Sequence, residues 1–71
     1  MNSNEVRALQ TSEIETKLED AREELFKLRF RFKTGQMTDY SRLRVTRRLV
    51  ARLATVLRER EIAAQLIAKE S

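Results

Sequence analysis

Apolar residues in the earlier part of the chain fall at Ile14, Leu18, Ala21, Leu25, Leu28 and Phe32, with alternating spacings of four and three. Positions three and four apart stack on one face of a 3.6-residue turn, so this is the seam of a helix packed along another helix. The spacing predicts a helix from about residue 13 to about residue 34. Ser12 followed by Glu15 fits a capping box that would satisfy the first backbone N–H groups. At the other end Lys33 places a cation in the last turn, and Gly35 can take the left-handed conformation that ends a helix. The stretch Gly35-Gln36-Met37-Thr38-Asp39-Tyr40 lacks periodicity and reads as a short connection, with Asp39 or Ser41 capping the next helix. Leu43, Thr46, Val50, Leu53 and Leu57 then repeat the seam, and Leu49 and Val56 widen it. This second long helix runs from about residue 41 to about 61 or beyond, since neither Gly nor Pro interrupts the chain through Lys69. The last residues, about 62–71, include Ile62, Ala63, Leu66 and Ile67 and form a helical or frayed tail.

Two long amphipathic helices joined by a short connection lie antiparallel. Facing residues then have numbers adding to about 75, which sets Phe32 opposite Leu43, Leu25 opposite Val50, Ala21 opposite Ala54 and Leu18 opposite Leu57. Before the hairpin, residues from about 4 to about 9 can form one or two helical turns, whose Val6 and Leu9 would cover the open end near Ile62. The expected fold is therefore all-α: an antiparallel two-helix coiled-coil hairpin with a short N-terminal helix, in a single domain over residues 1–71.

Composition narrows the chemistry. With 71 residues the core is thin. The absence of His and Cys removes imidazole bases, thiolate nucleophiles and nearly all zinc sites, and a single Gly cannot build a phosphate-cradling loop. No enzyme activity, cofactor, metal or small-molecule substrate is expected. Zero cysteines favour a reducing, intracellular compartment, and no stretch approaches the ~20 apolar residues of a membrane span. The opening Met1-Asn2-Ser3-Asn4-Glu5 shows neither the basic start nor the apolar run of a signal peptide.

Charge changes the picture most. Residues 1–24 hold seven acids and three bases, residues 25–60 hold eleven bases and two acids, and residues 61–71 hold two acids and one base. Folded as a hairpin, this pattern gathers Lys27, Arg29, Arg31, Lys33, Arg42, Arg44, Arg47, Arg48 and Arg52 toward the loop end. Like charges so placed repel one another, and a polyanion would offset the repulsion. Arg predominates over Lys, and its planar fork suits bidentate phosphate contacts. Arg44, Arg48 and Arg52 recur every fourth residue as one stripe, and Phe26 and Phe30 form an apolar patch beside the seam. Nucleic-acid binding through phosphates is the reading these features favour, with Phe26 and Phe30 set against a protein. Two alternatives use the same residues: a coiled-coil interaction module or homo-oligomer that binds no RNA, and a basic amphipathic helix on an anionic membrane. The second is weaker, because the apolar face is already taken by the partner helix.

The string Glu24-Leu25-Phe26-Lys27-Leu28-Arg29-Phe30, then Thr34-Gly35-Gln36-Met37, then Arg42 through Leu57 with its Arg47-Arg48, Ala51-Arg52 and Thr55-Val56-Leu57, resembles the bacterial large-subunit ribosomal protein twenty-nine family. The likeness spans about residues 5 to 61, and family members commonly have Asn-Pro where Asp39-Tyr40 stands. It implies a three-helix structural constituent of the large ribosomal subunit, acting in translation, cytoplasmic and ribosome-bound. It further implies a place near the exit of the nascent-chain tunnel, beside ribosomal protein twenty-three and within reach of exit-tunnel chaperones or targeting complexes. The matching positions that would contact ribosomal RNA are Lys27, Arg29, Arg31, Lys33, Gln36, Arg42, Arg44, Arg47, Arg48 and Arg52.

Overall fold

The computed structural model describes residues 1–36 and 39–70, so Met37 and Thr38 in the predicted connection, and Ser71, lie outside the described residues. Three helices succeed one another: α1 over Ser3–Arg7, α2 over Thr11–Lys33 and α3 over Ser41–Glu70. Helices α2 and α3 form the hairpin, giving a rod of 54 × 19 × 15 Å.

The seam residues behave as their spacing predicts. Ile14, Leu18, Ala21, Leu25 and Leu28 of α2 are buried, as are Leu43, Leu53 and Val56 of α3. They divide into two clusters. Ile14, Leu18, Ala21, Leu53 and Val56 pack with Leu49, Val50, Ala54 and Leu57, while Leu25, Leu28 and Leu43 form a smaller group near the loop, joined by Val50. Thr46 is the polar member of the seam, and its hydroxyl donates to the Arg42 carbonyl at 2.9 Å, which removes the cost of burying it.

Phe32, expected opposite Leu43, is 41% exposed, and Leu28 shares the cluster with Leu43 instead. Residues leaving the helix need room to reverse direction, and Phe32 is left on the surface with its ring edge against Tyr40, centroids 5.4 Å apart. The reversal itself is a Schellman ending. The Gln36 N–H donates to the Arg31 carbonyl and the Gly35 N–H to the Phe32 carbonyl, with Gly35 at φ +76°.

The start of α2 differs from the predicted capping box. The helix begins at Thr11 with Gln10 as its cap, no side chain caps it, and Ser12 lies inside the first turn. The start of α3 is held from outside the helix. The Asp39 carboxylate accepts hydrogen bonds from the Ser41 hydroxyl and, at 2.9 Å, from its N–H. These bonds, the hydroxyl first, hold the Asp39 carboxyl below its ordinary pKa.

Helix α1 is capped by Asn2, whose side chain accepts the Glu5 N–H at 2.9 Å. Val6 is completely buried and Leu9 packs against the same cluster. Ile62 takes no part in that cover, being 47% exposed. Instead of closing the open end, α1 lies along α3 in the same direction. Arg52 donates to the Met1 carbonyl at 2.8 Å, and Arg7 pairs with Glu59 at 3.5 Å, so the two helices run in step from one contact to the other. Arg60 clasps the turn into α2, donating to the carbonyls of Arg7 and Leu9 and to the Thr11 hydroxyl at 3.0, 2.8 and 3.0 Å.

Candidate nucleic-acid interface

The hairpin has two long flanks, and they differ in charge. Met1, Lys17, Asp20, Glu24 and Leu49 line one shallow hollow, which fixes the flank that α1 occupies. On that side Arg42 is paired with Glu24 at 2.7 Å, and Arg52 is committed to the Met1 carbonyl. Helical spacing puts Lys27 and Arg31 on this flank too, three and seven residues after Glu24. Lys27 is bridged to Glu23 at 3.6 Å. Cations here are partly matched by acids.

Across the seam the balance changes. Arg44, Arg47, Arg48 and Ala51 line a shallow groove on α3, and Phe26, Arg29, Phe30 and Lys33 line a second on α2. Arg29 comes five residues after Glu24, nearly half a helical turn away, which sets it on the flank opposite α1. Among the described residues Arg29, Lys33, Arg44, Arg47 and Arg48 make no ion pair. Arg47 donates to the Tyr40 hydroxyl at 2.9 Å, and the Arg44 guanidinium lies 5.6 Å from the Tyr40 ring centroid. Tyr40 thus orients two guanidinium groups without neutralising either. The ring is in turn held by Phe32.

The cations expected at the loop end therefore divide between two flanks. Arg29, Lys33, Arg44, Arg47 and Arg48 share the open one, whereas Lys27, Arg31, Arg42 and Arg52 share the side with α1. The stripe expected from Arg44 through Arg48 to Arg52 breaks at its last member, which holds the N-terminus. Gln36 is exposed at the tip, its position set by its backbone bond to Arg31. Phe26 and Phe30 are 72% and 58% exposed, so they are a surface patch and not a widening of the core.

Two residues whose roles the linear pattern conceals are Arg60 and Tyr40. Arg60 reads as one more base among eleven, and its partners lie about fifty residues away. Tyr40 sits in a loop without periodicity, and only a ring close to Arg44 and Arg47 reveals its part. Among the described residues no helix is long and apolar enough to cross a membrane, and no group of acids is placed to hold a metal ion.

An open flank of unpaired guanidinium and ammonium groups on a thin helical rod suits a polyanion far better than a small molecule. The family model described as Ribosomal L29 protein matches residues 4–60. The chain is 52% identical over 62 residues to the large ribosomal subunit protein uL29 of Bacillus cytotoxicus (strain DSM 22905 / CIP 110041 / 391-98 / NVH 391-98), covering 87% of this chain and 94% of the relative. The same values hold for the proteins of that name from Bacillus cereus (strain B4264) and Bacillus anthracis (strain A0248). With the family match running from the start of α1 to the Arg60 clasp, the chain belongs to the ribosomal L29 protein family.

Proposed function

We propose that the chain is a structural constituent of the large ribosomal subunit, held by phosphates of ribosomal RNA against the flank that α1 leaves open, and that it takes part in translation without catalysing a reaction. The observation that carries this is the group Arg29, Lys33, Arg44, Arg47 and Arg48 on one flank, which among the described residues make no ion pair. Lys27, Arg31, Gln36, Arg42 and Arg52 extend the RNA contact around the loop end, the paired ones exchanging a weak surface partner for phosphate. Exposed Phe26 and Phe30 belong against a neighbouring protein, for which ribosomal protein twenty-three is the family's expectation. The family likeness also supports a site beside the nascent-chain exit in the bacterial cytoplasm, open to chaperones or targeting complexes.

The test compares two sets of substitutions. Arg44→Glu with Arg48→Glu turns attraction into repulsion at two exposed sites, of which Arg44 contacts the Tyr40 ring and neither makes an ion pair among the described residues. Glu13→Gln with Glu15→Gln removes charges at the far, acidic end. Quantitative mass spectrometry of purified large subunits should find the first variant depleted at least tenfold and the second near the level of the parent. Binding of the parent to a large-subunit RNA fragment should also weaken steeply with salt, as released counterions require. Equal incorporation of both variants would overturn the reading.

A further inference from the structure

The family match ends at residue 60, where Arg60 clasps the beginning of α2, yet α3 continues to Glu70. At 1.5 Å per residue the last ten residues carry the helix about 15 Å past the hairpin. Every described side chain from Glu61 to Lys69 is exposed, among them Ile62 at 47%, Leu66 at 58% and Ile67 at 69%. A polar helix would be the ordinary choice for such an overhang, so this apolar surface calls for an occupant.

The direction it faces is set by helical arithmetic. Ile62 and Leu66 come eighteen residues after Arg44 and Arg48, which is five complete turns. They therefore lie on the same side of α3 as the open basic groove, about 27 Å farther along the axis. Charge ends where the apolar surface begins. Residues 61–71 hold two acids and one base, so the overhang offers phosphate nothing comparable to the groove.

A second copy of the chain is a poor occupant. Three part-exposed side chains cannot supply the roughly 1,200 Å² that a stable interface buries. The same small surface suffices once the molecule is anchored elsewhere, because a neighbour fixed to the same RNA is present at very high effective concentration. We infer that Ile62 and Leu66 dock on an apolar surface of a protein that is bound next to this chain on the same ribosomal RNA. This rests on the RNA-anchored reading proposed above.

The test places a photoreactive side chain on the rim of the stripe, Ala63→p-benzoylphenylalanine, and irradiates purified large subunits. Peptide mapping should find the cross-link on one ribosomal protein, at an apolar patch. Adding Ile62→Glu and Leu66→Glu should lower its yield at least fivefold while the amount of the chain in the subunit stays the same. A cross-link to RNA or to a second copy would overturn the inference, as would an undiminished yield in the double variant. Full occupancy of the subunit with no cross-link overturns the overhang contact alone, whereas absence of the unsubstituted chain from large subunits overturns the anchoring reading and the inference with it.

Discussion

Replacing Arg60 by Ala removes three hydrogen bonds at once, all to the turn between α1 and α2. A bond from a charged donor contributes about 1.5–3 kcal/mol net where water is excluded. Arg60 is only half-buried and water replaces much of the lost bonding, so the set of three is expected to contribute about 1–2 kcal/mol. At about 4–8 °C per kcal/mol for a domain of this size, Arg60→Ala should lower the melting temperature by roughly 4–16 °C. Val6→Ala acts on the same element from the other side. It empties a completely buried site of two methyl groups and is expected to cost about 2 kcal/mol. Both side chains hold α1 against α3, so once either loss releases the helix the other has less to stabilise. The double variant should therefore be destabilised by less than the sum of the singles. Thermal denaturation monitored by circular dichroism gives the three values. Hydrogen exchange should show residues 3–9 exchanging faster in Arg60→Ala while α2 and α3 near the loop remain protected. An unchanged melting temperature for Arg60→Ala, or strictly additive losses, would refute the clasp.

The loop end supplies two further expected outcomes. Gly35 sits at φ +76° with open space where a Cβ would go, so Gly35→Ala should cost about 1–2 kcal/mol from backbone strain alone, and Gly35→Asn less; chemical denaturation distinguishes them. Because the folded Asp39 pKa is depressed, its cap stabilises α3 above the unfolded value of roughly 3.9 and loses that contribution as pH falls through the lower folded value. A carboxyl titration by nuclear magnetic resonance should place the Asp39 midpoint below the ordinary range. Asp39→Asn should keep an acceptor for Ser41 and remove that pH-dependent step, and a midpoint at or above the ordinary range would contradict the cap.

Much of this molecule is written in short stretches of its sequence. The four-three spacing from Ile14 to Leu28 and from Leu43 to Leu57, with Gly35 between them, determines two helices and their reversal, because each feature depends on residues within a turn or two of one another. Net charge along the chain likewise depends on nothing but residue order, which is why a basic middle, and with it the expectation of a polyanionic partner, is legible without coordinates. The decisions left to tertiary structure lie in contacts across long separations. A heptad pattern does not say how far toward the loop the core extends, so only packing shows that Leu28, and not Phe32, is buried with Leu43. The side on which α1 settles is where Val6 joins the cluster of Leu53 and Val56. That choice pairs Arg52 with Met1, gives Arg60 its three acceptors and leaves Arg44, Arg47 and Arg48 open. Eleven bases between residues 25 and 60 are alike until a fold gives some of them partners.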